Sequence, residues 1–272
     1  MITGLLIGAF VFVLGLCIGS FLNCAIYRVE QEKSFLKGRS FCPNCKHELN
    51  WKDLFPVFSY LFLAGKCRYC KAKISWLYPA VEISTALIFL LIFFSSPLYF
   101  NFQSFENWGI GTIWQFLSLG FWFYIASVLI FIFVYDLKHY LIPDKVLLPA
   151  IIVAIVYRLV FNFSLLQNYL IAILIGAGFF LAIFLVSQGR WMGFGDVKLA
   201  VLLGLITGFP NILVALFLAF FFGAVVGVAL MIQHKKKINS EIPFGPFLII
   251  GTFVAIFWGE ILMDFYLNSL MI

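Results

Sequence analysis

Charged residues are scarce in this chain. Only 11% of its 272 residues are Asp, Glu, Lys or Arg, whereas 64% are hydrophobic, and the mean hydropathy is +1.07. Soluble domains are about a quarter charged and about half apolar, so this composition excludes a soluble globular protein. The apolar runs are continuous rather than alternating. They therefore disfavour a membrane β-barrel and favour helices of about 20 residues that cross the ~30 Å hydrocarbon core.

Several enzyme signatures are also absent. The chain has no P-loop, no H-E-x-x-H and no G-x-S-x-G motif, which argues against ATP-driven, zincin and serine mechanisms. No basic residue precedes Arg28, so the first apolar segment lacks the positive region of a cleavable signal peptide and is expected to persist as a helix. Broken-helix repeats, which many transporters carry, are not found either.

A series of long apolar runs dominates what is present. They predict an all-α polytopic membrane protein with about eight transmembrane helices and a small cytoplasmic zinc-binding loop domain. The first helix falls in residues 1–26, the polar loop in 27–78 and a membrane core in 79–272. The predicted spans are 2–26, 79–100, 110–135, 146–163, 169–186, 197–209, 212–233 and 244–267. The sixth, with about 13 residues, would be about 20 Å long and too short to cross comfortably.

The basic residues predict which side of the membrane each loop faces. If the 27–78 loop is cytoplasmic and eight helices alternate, 17 of the 18 Lys and Arg residues fall on the cytoplasmic side, in agreement with the positive-inside rule. Both termini are then expected outside the cytoplasm. Arg158 is the exception and is expected to extend outward to the interface. The net charge of +6 thus reports orientation in a lipid bilayer, and we expect no nucleic-acid partner.

Four of the six cysteines lie in the polar loop. Cys42 and Cys45 form one C-x-x-C pair, and Cys67 and Cys70 form a second after 21 intervening residues. This tetrathiolate spacing suits a tetrahedral Zn²⁺ that closes a small fold without a large core. Four free thiols or two redox-active pairs are the alternative, which the second matched pair disfavours. We therefore predict a structural zinc ion in the loop.

Two aspartates lie at the edge of long apolar runs. The charge-free run 110–135 leads directly to Asp136, and a G-x-G-D segment brings Asp196 to the start of the sixth helix. The charge rule places both on the cytoplasmic edge. An ionised Asp beside hydrocarbon is costly, so such residues usually face a partner or a water-filled cavity. Their placement makes both aspartates candidates for function.

A pair of carboxylates suits acid–base hydrolysis of a peptide. One, ionised, takes a proton from water, while the other, protonated, polarises the carbonyl. Gly193 and Gly195 favour this chemistry because they let a substrate backbone approach closely and permit turn angles that other residues resist. The alternatives are that each aspartate caps a helix or pairs with a lysine such as Lys198. Asp144 is a rival to Asp136, but its place before the fourth helix suits an N-cap.

Several blocks of sequence are distributed along nearly the whole chain: 19–28, the two cysteine pairs, 55–61, 65–68, 78–82, 136–144, the G-x-G-D segment and 242–248. Together these blocks resemble the bacterial prepilin peptidases, or type IV leader peptidases, a family of G-x-G-D intramembrane aspartic proteases. The resemblance implies that Asp136 and Asp196 are catalytic, with Gly193, Gly195 and Lys198 supporting the catalytic turn. It also implies residence in the bacterial inner membrane.

Members of that family cut the basic leader from prepilins or pseudopilins, and many then methylate the new α-amino group with S-adenosylmethionine. The methylation is associated with the cysteine-bearing loop, so the loop implies the bifunctional form. The chain has no Rossmann glycine turn to place the methyl donor, which leaves the 27–78 loop and Glu82 as the candidate region. A proton-coupled transporter and a noncatalytic scaffold that docks partners through the loop are the alternatives.

Overall fold

The structure is a computed structural model that describes residues 2–32, 38–96, 110–233 and 242–270. In these ranges the regular structure is helical apart from two isolated β-bridges in the cysteine loop. Short 3₁₀ turns occur at Trp51–Asp53 and Phe163–Leu165. The α-helices are α1 (Ile2–Glu30), α2 (Phe58–Phe62), α3 (Leu77–Phe94), α4 (Ile110–His139), α5 (Asp144–Phe161), α6 (Leu166–Ser187), α7 (Phe194–Thr207), α8 (Asn211–Ile232) and α9 (Gly245–Leu270).

Six of the described helices are long and apolar enough to cross a membrane, namely α1, α3, α4, α6, α8 and α9. They confirm the prediction of a helical multi-pass membrane protein. The two other predicted spans are also helical, but one is more charged and the other is shorter. Helix α5 has 18 residues and carries three charges, and α7 has only 14 residues, about 21 Å at 1.5 Å per residue. The loop between the second and third predicted spans, and most of the loop between the last two, lie outside the described residues.

The first of two compact units, Met1–Phe131, is organised around the contact between α1 and α3. Two glycines on α1 make this contact close. A Cβ atom added to Gly15 would lie 2.5 Å from the Cα of Ala86, and one added to Gly19 would lie 2.6 Å from the Cα of Glu82. Small residues four apart let two membrane helices approach to backbone contact. The contact fixes the end of α1 beside the start of α3, where the cysteine loop leaves and returns.

The second compact unit, Ile132–Ile272, is organised around the short α7. Helices α5, α6, α8 and α9 all contact α7, and eight of its residues are buried. Gly204 lets α6 approach, because an added Cβ would lie 2.8 Å from the Cα of Ile173. Helix α7 is shorter than the ~30 Å hydrocarbon core requires of an independent span, and neighbouring helices rather than lipid cover its apolar side chains. The apolar sequence of α7 therefore reflects burial among its neighbours.

The prediction that Arg158 extends outward to the interface was wrong. Arg158, on α5, is only 5% exposed, and its guanidinium donates hydrogen bonds to the carbonyls of Leu205 and Ile206 at 2.8 and 2.9 Å. These carbonyls belong to the last turn of α7, where a helix leaves its C=O groups without internal partners. The rings of Tyr157 and Tyr169 flank the guanidinium at 5.3 and 4.1 Å. Arg158 is thus kept inside because it caps a buried helix end.

Candidate active site and metal centre

Asp136 lies inside the last turn of α4, since this helix continues past the predicted end to His139. The helix stops where Tyr140 adopts a left-handed conformation with φ of 57°, and the Tyr140 N–H donates to the carbonyl of Asp136 at 2.9 Å. A left-handed residue after the last turn is a common helix stop. Asp136 is 4% exposed. Its carboxylate is therefore held on a rigid, buried helix end.

Asp196 lies in the first turn of α7, where the exposed amides of a helix N-terminus favour a negative side chain. The special turn angles predicted for the two neighbouring glycines are not found. Gly193 occupies the N-cap with an extended backbone (φ −74°, ψ 149°), and Gly195 is helical. The left-handed residues of this connection are Gln188 and Gly189, with φ of 52° and 76°.

Gly195 has no side chain, and this leaves room for Ile142. The start of α9 is a third helix end that packs against the same residue. A Cβ atom on Gly195 would lie 3.2 Å from the Cβ of Ile142. At the start of α9, a Cβ on Gly245 would lie 3.6 Å from the Cδ1 of Ile142 and only 2.6 Å from the Oδ2 of Asp136. The backbone amide of Gly245 faces the same carboxylate. Gly245 was not among the predicted site residues, and its signal in the sequence is a Gly-Pro pair that opens an apolar run.

The structure brings the two predicted aspartates within electrostatic range of each other. The negative charge of Asp136 acts on Asp196, and burial withdraws both carboxyl groups from water. Two like charges in a site withdrawn from water repel each other, which disfavours ionising both carboxyl groups at once. Whatever chemistry the site performs, it can offer one carboxylate as a base and one carboxylic acid as a donor.

Lys198 binds Asp144 rather than either of these aspartates. Its Nζ lies 2.8 Å from both carboxylate oxygens of Asp144, which ties α7 to the start of α5. The prediction that Asp144 is the N-cap of α5 was wrong, because Pro143 occupies the N-cap position and Asp144 is the first helical residue. The ion pair lies beside the G-x-G-D segment and holds it in register with α5.

The four loop cysteines converge as their spacing predicted. Their sulfur atoms all lie within 4.8 Å of one another, and the Sγ atoms of Cys42 and Cys70 are 3.9 Å apart. A tetrahedral zinc with Zn–S bonds of about 2.3 Å requires sulfur atoms roughly 3.8 Å apart. Cys45 and Cys67 complete the set. The cluster could hold a metal ion, and the donors present are those that zinc prefers.

Both cysteine pairs adopt the same backbone turn. In each, the N–H of the first cysteine donates to the carbonyl five residues later, at 3.0 Å in the first pair and 2.8 Å in the second. The residue after the second cysteine, Lys46 or Lys71, is left-handed with φ of 61° or 60°. An antiparallel β-bridge closes each turn. Because the sequences of the two turns differ, the repeated backbone indicates a geometry selected to aim two thiols at one point.

A buried carboxylate joins the rest of the loop to the second of these turns. Asp53 accepts hydrogen bonds from the Nε of Arg68 at 2.6 Å and from the Tyr69 hydroxyl at 3.2 Å. Burial by itself raises the pKa of Asp53, but the hydrogen bonds from Arg68, the Asn50 backbone and Tyr69 together hold it below its ordinary value. The loop is therefore ordered by polar contacts as well as by the cysteines.

These features define a class of protein: a multi-pass helical membrane protein with a buried aspartate pair and a four-cysteine loop. Residues 13–96 match the bacterial peptidase A24 N-terminal domain, and residues 123–228 match the type IV leader peptidase family. The first match contains the cysteine loop and the second contains both aspartates. The chain belongs to the type IV leader peptidase family and is an enzyme of that family, as the motif resemblance predicted.

Curated relatives match over nearly the full length of the chain. The prepilin leader peptidase/N-methyltransferase of Stutzerimonas stutzeri is 31% identical over 94% of this chain and 92% of its own length. The proteins of the same name from Pseudomonas aeruginosa and Bacillus subtilis are 29% and 30% identical over 94% of this chain, and over 91% and 96% of their own lengths. No solved structure gives a significant match.

Proposed function

We propose that this enzyme removes the basic leader from prepilins or pseudopilins at the cytoplasmic edge of the bacterial inner membrane, with Asp136 and Asp196 as its catalytic pair. The observation that carries the proposal is that these two carboxyl groups, both largely withdrawn from water, lie at the ends of α4 and α7 within electrostatic range of each other. The names of the relatives support the substrate class. Membership of a peptidase family favours this function over a transporter or a noncatalytic scaffold.

In the proposed reaction the pair shares one proton. The ionised aspartate accepts a proton from the attacking water, and the protonated one donates a hydrogen bond to the scissile carbonyl oxygen. The tetrahedral intermediate then collapses as the amide nitrogen leaves with a proton from the pair. Placing both groups on helix ends fixes their separation before the substrate arrives, which is the positioning that acid–base catalysis needs.

The glycines of the site have a spatial role in this proposal. Gly245 and Gly195 let three helix ends close on Ile142 and on the Asp136 carboxylate. Gly193 is exposed, with no atom nearer to an added Cβ than 3.9 Å. That open position leaves the backbone before Asp196 accessible to an extended peptide. Lys198 supports the same turn through its ion pair with Asp144.

The cysteine loop, in this proposal, holds one structural Zn²⁺ through Cys42, Cys45, Cys67 and Cys70. The four sulfur atoms fit a tetrahedral ion, and the two matched turns supply the backbone that closed tetrathiolate sites require. Zinc supplies cross-linking energy rather than chemistry at such a site, since four thiolates leave no open coordination position for a substrate or water.

The proposed arrangement in the membrane follows the charge rule. Helices α5 and α7 complete eight crossings together with the six long spans, and both termini lie outside the cytoplasm. The 27–78 loop then lies in the cytoplasm, where S-adenosylmethionine is available to methylate the newly exposed α-amino group. Residues 1–26 act as the first membrane helix, 27–78 as the methylation-associated loop and 79–272 as the peptidase core.

The test is cleavage of a substrate with a short Lys-rich leader, a Gly at the cut and a hydrophobic helix after it. Purified enzyme in detergent is compared with Asp136→Asn and Asp196→Asn, and the product's N-terminus is read by mass spectrometry with and without S-adenosylmethionine. We expect both variants to lose cleavage and the wild type to give a product that gains a methyl group only with the donor.

Two further aspartates serve as controls. Asp264→Asn removes an exposed carboxylate on α9 and should leave cleavage unchanged. Asp144→Asn removes the rival aspartate and should reduce cleavage only modestly. Loss of activity in Asp144→Asn with full activity in Asp136→Asn would replace Asp136 in the pair. Full activity in both Asp136→Asn and Asp196→Asn would reject the dyad altogether.

A further inference from the structure

The first compact unit contains a cavity that the peptidase reaction does not use. It has a volume of about 420 Å³ and lies between the end of α1, both cysteine turns and the start of α3. Ser20 and Asn23 contribute from α1, Glu82 from α3, and Ser59 and Tyr60 from the short α2. Sites for small molecules typically measure about 300–1,000 Å³ and combine apolar walls with a few polar groups. This cavity has both properties.

The walls offer aromatic faces and charges of both signs. The rings of Tyr27, Phe41, Tyr60 and Tyr78 line it, as do two carboxylates and the basic side chains of Arg28, Arg39, Arg68 and Lys73. Of the carboxylates, Asp53 is already bound by Arg68 at 2.6 Å. Glu82 is 7% exposed and is hydrogen-bonded by uncharged groups, the backbone N–H of Val57 at 2.7 Å and the hydroxyl of Ser20. A buried carboxylate with neutral partners suits a cationic ligand.

The loop holds a strained residue against this carboxylate. Val57 has φ of 61° and ψ of −50°, a conformation that is an outlier for a β-branched side chain. Its N–H is the group that Glu82 binds. Such backbone strain persists only where surrounding contacts enforce it, and strained residues cluster at ligand sites. Glu82 thus fixes α2, with Ser59 and Tyr60, at the wall of the cavity.

We propose that this cavity binds the methyl donor, S-adenosylmethionine, with Glu82 supplying the negative charge for the sulfonium and the aromatic rings supplying flat faces for the adenine. The inference rests on the proposed N-methyltransferase function and assigns that function a site. Aromatic faces also attract onium cations directly. In the transfer, the neutral α-amine forms the N–CH₃ bond as the S–CH₃ bond breaks. The electron pair of the S–CH₃ bond stays on sulfur, and the resulting ammonium loses a proton to solvent.

The charge of Glu82 can be tested without relying on activity. Glu82→Gln keeps an oxygen that accepts the Val57 hydrogen bond but removes the negative charge. S-Adenosylmethionine is a sulfonium cation, whereas its product, S-adenosylhomocysteine, has a neutral thioether. By calorimetry on the full-length enzyme, we expect Glu82→Gln to weaken binding of the donor at least tenfold and to change binding of the product less than threefold. Asp264→Asn, which removes an exposed carboxylate elsewhere, should change neither.

Filling the cavity gives a second readout. Ser59→Phe adds a ring to the wall and should weaken binding of both ligands at least tenfold, with leader cleavage retained. Zinc content reports whether the loop remains folded, and if Ser59→Phe loses its metal, Glu82→Gln alone decides. Ultraviolet cross-linking of methyl-labelled donor should mark a peptide within residues 20–82.

The outcomes distinguish a failure of the cavity assignment from a failure of the proposed methyltransferase function. If the wild type binds and transfers the methyl group but both variants bind the donor as the wild type does, the cavity assignment is overturned and the transferase function stands. If the wild type neither binds the donor nor methylates its product, both are overturned while leader cleavage stands. A parallel loss of both ligands in Glu82→Gln, with zinc lost, would instead show a structural role for Glu82 and contradict the charge assignment.

Discussion

The cysteine loop and the aspartate site are both marked by short motifs, but their parts lie at very different distances along the chain. All four thiols come from Cys42–Cys70, and each pair is aimed by a turn closed within eight residues. The aspartate site instead gathers Asp136, Asp196 and Gly245 from the ends of three different helices, α4, α7 and α9. A local motif carries its own geometry, whereas a dispersed site depends on how buried helices pack.

Removing a thiol should have the largest effect, because one ion closes the whole loop. Zinc binding contributes on the order of 10 kcal/mol to the folding of small tetrathiolate motifs. Cys42→Ser or Cys67→Ser should therefore release the metal and expose residues 38–76 to protease, as measured by elemental analysis and limited proteolysis. Cys24→Ser, at a cysteine outside the cluster, is the matched control and should retain zinc.

Leader cleavage in the thiol variants tests whether the aspartate site depends on the cysteine loop. If the two units fold independently of each other, the thiol variants should keep most of their peptidase activity while losing methylation. A peptidase activity that falls as far as the zinc content does would show that the aspartate site depends on the loop.

The next largest effect is expected at Arg158, which holds together the unit containing the aspartates. Arg158→Leu leaves the carbonyls of Leu205 and Ile206 buried without partners, and each such group costs about 1–3 kcal/mol. Thermal unfolding in detergent should show a loss of several kcal/mol with zinc content unchanged. Arg158→Lys keeps the positive charge but cannot donate to both carbonyls as the planar guanidinium does. Its stability should therefore lie between those of the wild type and Arg158→Leu. If Arg158→Leu leaves the free energy of unfolding unchanged, the C-terminal carbonyls of α7 must find other donors.

Sequence alone predicted the features that are local or compositional. The apolar runs predicted the long helices, the cysteine spacing predicted the thiol cluster, and the positions of Asp136 and Asp196 at the edges of apolar tracts marked them as candidates. It could not predict that Gly245 touches Asp136, since nothing in residues 242–248 indicates which helix end they meet. The same limit explains Arg158: its inward direction depends on where the carbonyls of α7 end.

The sequence also did not predict which partners the charged residues bind. Asp196 is the aspartate near Lys198 in the sequence, yet Lys198 binds Asp144, which is 54 residues away at the start of α5. Glu82 lies near a helix start, where it could have been hydrated, yet it binds the backbone of Val57. A charge finds its partner in three dimensions, and a pattern along one helix restricts the choice only weakly.

The glycines at the aspartate site allow a graded test of its packing. An added Cβ would lie 2.6 Å from a carboxylate oxygen at Gly245, 3.2 Å from Ile142 at Gly195, and no nearer than 3.9 Å to any atom at Gly193. Displacing a catalytic group by about 1 Å can cost about 100-fold in rate. We expect kcat/KM for leader cleavage to fall about that much in Gly245→Ala, less in Gly195→Ala and least in Gly193→Ala. An inverted order would mean that Gly193 meets the substrate closely.

The smallest effect is expected at the ion pair between Lys198 and Asp144. Their side chains are 29% and 51% exposed, and a partly exposed pair contributes at most about 1 kcal/mol. Lys198→Met and Asp144→Asn should therefore each lower cleavage slightly and by similar amounts, and the double variant should be no worse than either, because each change breaks the same contact. A much larger loss in Lys198→Met than in Asp144→Asn would indicate that the lysine acts on Asp196 during catalysis, and the aspartate site would then extend beyond the three helix ends that meet at Asp136.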